Sequence, residues 1–161
     1  MAVEICAADL TADWSQARQL VQAYASSLAI DLSFQDFAHE LGNLQTVYGP
    51  PASAFLLAAE GGRWLGCVGV RRHSEHDCEM KRLYVAPEAR GRGIGQRLAV
   101  AAIEMAVQLG YRRMLLDTMP SMLAAQALYL QLGFSPIPPY RINPVVCTVF
   151  MALELPPRQP S

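Results

Sequence analysis

The sequence predicts an α/β (α+β) fold in which a mixed, mostly antiparallel central sheet of about six to seven strands is flanked by helices. Runs of β-favouring residues recur along the chain and are separated by patterns with helical spacing. Two of these runs are joined by a Gly-Gly pair, and a third leads into a helix through a glycine-rich turn. With 161 residues, 52% of them hydrophobic, the chain is long enough for one core. We therefore expect one domain over residues 1–155 and a flexible tail over residues 156–161.

The first third of the chain predicts one strand and two helices. Weak alternation over residues 3–8 indicates a strand, and Asp9 or Thr11 is expected to cap the helix that follows. Ser33 predicts the cap of a second, shorter helix, which ends at a left-handed stop over residues 42–43. The apolar positions of the two helices recur at helical spacing: Trp14, Ala17, Leu20, Val21, Tyr24, Ala25 and Leu28 in the first, and Phe34, Phe37, Ala38 and Leu41 in the second.

The middle of the chain predicts a β-hairpin and the strand that follows it. Ala54–Glu60 and Arg63–Arg72 flank Gly61-Gly62, and these glycines supply the positive φ angles of a tight hairpin turn. Residues 78–85 then form the central strand, which Pro87 ends.

Beyond the central strand, helical spacing begins near Gly95 and stops at Gly110. A strand follows over Arg113–Thr118. The buried face of the helix is expected to consist of Leu98, Ala102, Met105, Ala106 and Leu109.

The last part of the chain predicts one helix and one strand. Pro120 is expected to open the helix, which continues over residues 123–132, because its missing N–H does no harm at a first helical position. Residues 145–155 form the last strand. The connecting segment is expected to be irregular because it contains three prolines: Pro136, Pro138 and Pro139.

Charge and composition exclude several classes of partner. The 13 basic and 14 acidic residues nearly balance and form no like-charged run, so nothing indicates a nucleic-acid surface or a polybasic membrane anchor. No apolar run approaches the roughly 20 residues that a membrane-spanning helix needs. The four cysteines lack metal-binding spacing, and His73 and His76 lack a third ligand, so we assign no metal. We expect a soluble, cytoplasmic protein with no nucleic-acid and no membrane partner.

The sequence Arg-Gly-Arg-Gly-Ile-Gly over residues 90–95 lies between the central strand and the long helix. Its glycines let the backbone approach a ligand closely, and the helix directs unpaired N–H groups into the same space. We interpret it as a phosphate cradle, although an ordinary strand-to-helix turn has the same composition. No Lys-Ser or Lys-Thr follows the last glycine, which argues against a Walker loop. A dinucleotide-binding fold stays open, because Asp117 supplies an acidic residue at the end of the next strand.

Two motifs follow each other along the second half of the chain. The first is Arg90-x-x-Gly93-x-Gly95, preceded by Arg-Leu-Tyr-Val-Ala-Pro-Glu over residues 82–88. The second is Ala125-x-x-Leu128-Tyr129-x-x-Leu132-Gly133-Phe134. Together they resemble the GCN5-related N-acetyltransferase (GNAT) family over residues 54–155, most densely over residues 78–134. The resemblance implies a GNAT-type acyltransferase fold, acetyl transfer, and acetyl-CoA as the cofactor, with coenzyme A as a product.

The resemblance also implies where the cofactor binds. In this family the strand before the glycine loop carries a bulge, whose free backbone groups bind the pantetheine arm. Leu83, Tyr84 and Val85 occupy that place. The N–H groups of the loop and its arginine side chains would hold the pyrophosphate. The loop residues concerned are Arg90, Gly91, Arg92, Gly93, Ile94 and Gly95.

Two catalytic residues are implied by their match to family positions. Glu79 matches a general-base glutamate that takes a proton from the ammonium of the acceptor, although a salt bridge to Lys81 or a nearby arginine would also explain it. Tyr129 matches the tyrosine whose hydroxyl donates to the departing coenzyme A sulfur, so that an unassisted thiolate need not leave. A tyrosine that fills the core with its hydroxyl at the surface is the alternative for Tyr129.

Tyr140 and Asn143 precede the last strand, at the end of the fold where acceptors bind in this family, so they are candidate substrate-binding residues. The favoured activity is acetyl transfer to the primary amine of a small molecule by direct attack on the thioester. A protein lysine or N-terminal acetyltransferase and a non-catalytic acyl-CoA-binding module are the alternatives. The sequence does not decide between a monomer and a homodimer.

Overall fold

The computed structural model describes residues 2–28, 36–146 and 148–160. Seven strands form one sheet in the order β1-β2-β3-β4-β5-β7-β6. The strands are β1 (Glu4–Ala7), β2 (Ala54–Glu60), β3 (Arg63–Arg72), β4 (Asp77–Val85), β5 (Arg113–Thr118), β6 (Ser135–Ile137) and β7 (Val149–Glu154). The helices are α1 (Thr11–Ser27), α2 (Phe37–Gly42), α3 (Leu44–Tyr48), α4 (Ile94–Gln108) and α5 (Leu123–Gln131), and a 3-10 turn covers Pro87–Ala89.

The predicted mixed, mostly antiparallel sheet flanked by helices is confirmed. All neighbouring strands are antiparallel except β4 and β5, which are parallel. One face of the sheet packs on α4, whose buried side includes Leu98, Ala102 and Ala106. The other face packs on α1 and α3 through Trp14 and Tyr48. The parallel pair lies in the middle of the sheet, between these two layers.

Glycine governs the local geometry at the turns that position the site. Gly61 and Gly62 have φ angles of 57° and 81°, so the predicted hairpin between β2 and β3 has the backbone that a tight turn needs. Gly110, with φ of 88°, follows the end of α4 as predicted. Both features depend on positive φ, which glycine adopts without steric cost.

Three predicted helix boundaries are wrong. The N-cap of α1 is Leu10, not Asp9 or Thr11, and the Asp13 carboxylate of the first turn accepts the N–H groups of Asp9 and Leu10 at 3.1 Å each. Pro120 lies in a turn, and α5 begins three residues later at Leu123. The helix α2 ends near residue 42 as predicted, but Asn43 has φ of −136°, so the stop is not left-handed. The predicted cap at Ser33 and the apolar position at Phe34 lie outside the described residues.

Two elements were not predicted. The short helix α3 follows α2 directly, and Tyr48 at its end packs into the core. The segment expected to be irregular contains β6, in which Pro136 pairs with Met151 of β7. Proline is tolerated there because β6 is the edge strand of the sheet, where one side of the strand needs no partner. The last strand accordingly begins at Val149 rather than at residue 145.

Candidate active site

A cleft opens where the two parallel strands part. β4 and β5 pair only over Asp77–Glu79 and Arg113–Leu115, and beyond these residues no pairing joins them. The space between them belongs to a cleft of about 440 Å³. Its walls include Tyr24, Lys81, Leu83, Asp117, Tyr129 and Asn143. A cleft of this size between strands suits a small ligand.

β4 contains a bulge at the edge of this cleft. Gly69 pairs with Lys81 and Cys67 pairs with Tyr84, so two steps along β3 match three steps along β4. The extra residue distorts the strand at Arg82, which has φ of 60°. A bulge leaves backbone groups outside the regular ladder, where a ligand can use them. The strand therefore has the irregularity that the family resemblance implied next to Leu83.

A buried ion pair holds the bulge in this unusual conformation. Arg82 donates from Nε to Oε2 of Glu40 at 2.7 Å and from NH2 to Oε1 at 3.0 Å. The Tyr48 hydroxyl donates to the same carboxylate at 3.0 Å, and Arg71 lies 3.8 Å from it. Burial alone would raise the pKa of Glu40, but Arg82, Lys81 and Tyr48 lower it further than burial raises it. The Glu40 carboxylate is therefore ionised and ties α2 to β4.

The glycine loop leads from the 3-10 turn into α4. Gly91 and Gly93 have φ angles of 80° and 75°, and a Cβ built on either would meet nothing within 4 Å. The backbone of the loop is thus open to an approaching ligand, and positive φ is the property that requires glycine. The 15-residue helix α4 begins at Ile94, with Gly93 as its N-cap, and presents its unpaired N–H groups here. The loop therefore fits an anionic group.

The two arginines of the loop make different contacts. Arg90 lines the cleft, where its Nε donates to the Val85 carbonyl at 3.1 Å. Arg92 forms two hydrogen bonds to Glu60, at 3.2 and 2.6 Å. Both arginines are exposed, so their guanidinium groups can rearrange toward a phosphate.

Tyr129 lies in α5 with its ring against Phe134, at 5.7 Å between centroids. Burial, with smaller contributions from Tyr24 and Asp117, raises the pKa of the phenol, so it is protonated at neutral pH. Tyr129 lines the cleft, and within the described parts of the chain its hydroxyl makes no hydrogen bond. Its phenol is therefore a proton donor with access to the cleft.

Glu79 lies on β4 outside the residues that line the cleft. Its carboxylate forms an ion pair with Arg141 and accepts a hydrogen bond from the Tyr140 hydroxyl at 2.9 Å, and His73 lies 3.7 Å away. Burial alone would raise the pKa of Glu79, but Lys81, Arg141 and Tyr140 lower it overall. The ion pair to an arginine is the alternative role that the sequence left open, and Tyr140 belongs to the same cluster.

A second carboxylate faces the cleft directly. Asp117 is half-buried near the end of β5, beyond the last pairing with β4. Asn143 donates from Nδ2 to its Oδ2 at 3.4 Å, and both residues line the cleft together with Tyr129. The sequence analysis named Asp117 only as the acidic residue that a dinucleotide-binding fold would require at the end of this strand. No sequence signal places it beside Tyr129, because that proximity depends on how β5 packs against α5.

Lys81 is the buried cation of the cleft. Its side chain is 5% exposed and lines the cavity. Within the described residues the ammonium forms no hydrogen bond and no ion pair. Burial, with the charge of Arg82, lowers the pKa of Lys81 to about 8, although Glu79 and Asp117 act in the opposite direction. The sequence analysis predicted for Lys81 only a possible salt bridge to Glu79.

Over residues 2–28, 36–146 and 148–160, no group of three or more histidine, cysteine, aspartate or glutamate side chains is arranged to hold a metal ion. None of the helices described for this chain combines the length and the apolar character that crossing a membrane requires.

Comparisons with known proteins agree with this fold. A sequence profile of the acetyltransferase (GNAT) family matches residues 14–134. An uncharacterized N-acetyltransferase of Schizosaccharomyces pombe is 41% identical over 155 residues, which cover 95% of each chain. Human N-acetylaspartate synthetase is 37% identical over 86 residues, which cover 53% of this chain and 28% of that protein. YncA from Salmonella typhimurium, solved with its cofactor acetyl-CoA, is similar in structure with a TM-score of 0.70 at 21% identity, over 97% of this chain and 95% of its own.

The fold and the matches define an enzyme of the N-acetyltransferase class. The chain belongs to the GNAT acetyltransferase family, as the two sequence motifs indicated. The dinucleotide-binding alternative is wrong, because β5 has an antiparallel neighbour, β7, where that fold would continue with parallel strands.

Proposed function

We propose that the protein transfers an acetyl group from acetyl-CoA to the primary amine of a small molecule. The observation that carries the proposal is the protonated Tyr129 phenol in the cleft between the parted strands, beside the bulge of β4. The cofactor of YncA supports the choice of acetyl-CoA, and the product named in N-acetylaspartate synthetase supports a small acceptor. The cleft volume of about 440 Å³ is also in the range of small-molecule sites.

The residues present fit acetyl-CoA. The open backbone at Gly91 and Gly93, together with the N-terminus of α4, would hold the pyrophosphate, with Arg90 and Arg92 nearby. Backbone groups of Leu83, Tyr84 and Val85, which follow the bulge, would hold the pantetheine arm. Ile94 and Gly95 contribute N–H groups of the first helical turn. When bound, acetyl-CoA supplies the acetyl thioester and the sulfur leaving group.

Two side chains of the cleft would move protons. Tyr129 would donate its phenolic proton to the leaving sulfur, because burial keeps that proton in place at neutral pH. An amine must be neutral to attack, and an ordinary ammonium with a pKa near ~10.4 is almost entirely charged at pH 7. We favour Asp117 over Glu79 as the acceptor of that proton, because Asp117 lines the cleft and Glu79 is bound to Arg141. Asn143 would orient the Asp117 carboxylate.

The test is the release of free thiol from acetyl-CoA with a panel of amines, for wild type and for Tyr129→Phe. We expect the variant to lose about 100- to 10,000-fold in kcat, because it lacks the proton donor, while its Kd for acetyl-CoA is unchanged. Tyr111→Phe is the matched control: that hydroxyl donates to the Ala52 carbonyl at 2.6 Å and does not line the cleft. Wild-type turnover in Tyr129→Phe would remove the assigned role. Saturable binding of acetyl-CoA without thiol release from any amine would favour a non-catalytic binding module.

A further inference from the structure

Lys81 is the only lysine among the 161 residues, and it lies where a lone charge is costly. The residue is 5% exposed and lines the wall of the cleft, and in the part of the chain that the structure describes its ammonium has no hydrogen-bond or ion-pair partner. Removing a charge from water without pairing it is unfavourable. The lowered pKa of Lys81, about 8, reflects that cost, since burial is its largest cause. The charge acts on Glu79 and Glu40 only at a distance, so a ligand can supply the direct contact that the described residues do not make.

Two of the cations around the cleft are paired: Arg82 is bound to Glu40, and Arg141 is bound to Glu79. Arg90 lines the cleft without an ion pair among the described residues, and the proposed function assigns it to the pyrophosphate of the cofactor. Lys81 and Asp117 are left for the acceptor, one cation and one anion, and both line the same cavity without an ion pair between them. An amino acid presents the complementary pair, since its ammonium and carboxylate are separated by a single carbon atom. A simple amine would leave the Lys81 ammonium buried and unpaired.

We propose that Lys81 binds a carboxylate of the acceptor while Asp117 faces its amine, so that the acceptor is an amino acid or a similar carboxylate-bearing amine. This inference rests on the proposed acetyl transfer and narrows its substrate class. The ammonium of Lys81 donates hydrogen bonds to the carboxylate, and such charge-assisted bonds are among the stronger polar contacts in proteins. Lys81 is thus a binding residue for the acceptor, and the acetyl chemistry stays with the groups described above.

The first test compares acceptors with and without a carboxylate charge. L-phenylalanine, L-methionine and L-aspartate are each paired with their methyl esters, and kcat/KM is measured from thiol release with acetyl-CoA. We expect the free acids to be preferred by about 10- to 100-fold, as a charge-assisted hydrogen bond in a buried site provides. Lys81→Met should remove this preference by lowering kcat/KM for the free acids about 10- to 100-fold more than for the esters, and Lys81→Arg should restore part of it. An acid-to-ester ratio that is the same in wild type and in Lys81→Met would overturn the proposal, because an equal loss on both is the result expected of a lysine that acts as the base.

The second test does not depend on turnover. Because the chain has one lysine, labelling with ¹³Cε-lysine gives one side-chain NMR signal, whose titration midpoint reports the charge of Lys81. With coenzyme A present, the three amino acids should raise that midpoint, and their methyl esters should not. A midpoint that none of the amino acids moves would overturn the proposal even if simple amines are acetylated. A raised midpoint without any thiol release would instead contradict the acetyl transfer and leave the carboxylate site standing.

Discussion

Lys81 and Arg82 are consecutive residues of β4, both 5% exposed, yet their charges are treated in opposite ways. Arg82 is neutralised by Glu40, with Tyr48 completing the cluster, so its charge stabilises the bulge. Lys81 projects into the cleft without such a partner among the described residues. The comparison separates buried charges that maintain shape from buried charges that are available to a ligand. Changes in the first group should lower stability, and changes in the second should weaken the binding of a ligand without lowering stability.

The largest effect is expected within the cleft. Asp117→Asn should lower kcat by about 100- to 10,000-fold, because the acceptor ammonium loses the group that takes its proton. Thermal unfolding should change little, since Asn preserves the contact to Asn143. Glu79→Gln is the matched control, because Glu79 lies on the same face in an ion pair with Arg141. Steady-state kinetics of the two variants decide between the carboxylates: a large loss in Glu79→Gln with normal rates in Asp117→Asn would assign the base to Glu79.

The next effect concerns stability. Glu40→Gln should lower the free energy of unfolding by about 3 to 5 kcal/mol, because the buried Arg82 guanidinium loses its counter-charge. Glu60→Gln removes the exposed partner of Arg92 and should cost less than about 1 kcal/mol. Urea unfolding at pH 7 measures both. Equal costs in the two variants would mean that the buried pair does not maintain the bulge.

Removal of the Lys81 cation should raise the free energy of unfolding, whereas removal of the Glu40 charge should lower it. Lys81→Met should raise the free energy of unfolding at pH 7 by about 1 to 3 kcal/mol, because it relieves the burial of a charge. The folded pKa of about 8 lies below the ordinary value of 10.5, so the folded chain releases this proton first as the pH rises. The wild type should therefore gain stability between about pH 8 and pH 10 relative to the variant. Unfolding measured at pH 7 and pH 10 tests this, and a difference that is constant with pH would contradict it.

The smallest effect is expected at the exposed edge of the loop. Arg92→Gln should raise the Kd for acetyl-CoA by less than about tenfold, because an exposed charge contributes little to binding and already has Glu60 as a partner. The difference between wild type and variant should shrink further at high salt, where exposed charges are screened. Calorimetric titrations at two salt concentrations measure both effects. A difference that persists in high salt would mean that Arg92 contacts the phosphates in a desolvated position.

Local patterns predicted most of the fold. The glycine pair at residues 61–62 and the alternation on either side of it predicted β2 and β3 with the bounds that are observed, and β5 was likewise predicted over Arg113–Thr118. The elements that were missed are short: α3 has five residues and β6 has three. Short elements carry little periodicity, and β6 exists because β7 offers it an edge to pair with.

The site was predicted in part. Its motifs are contiguous in the chain, whereas its charged contacts join residues that are far apart in the sequence. The loop and Tyr129 lie in two contiguous motifs, and the structure brings Arg90 and Tyr129 to one cleft. The pairing of Glu40 with Arg82 joins residues 42 positions apart. The proximity of Lys81 to Asp117 requires the parallel register of β4 and β5 followed by their separation. No spacing within the chain encodes such contacts, so charge type alone could not assign their roles.

The loop that contains Arg141 and Asn143 contacts both of the strands that border the cleft. Arg141 forms an ion pair with Glu79, the last residue of β4 that pairs with β5, and Asn143 donates a hydrogen bond to Asp117, which lies beyond that pairing on β5. One loop therefore contacts both strands at the point where they part. A segment that belongs to neither strand thus helps to fix the strands relative to each other at the cleft. Replacing this loop by that of a relative would therefore change both the shape of the entrance and the side chains that the incoming molecule meets.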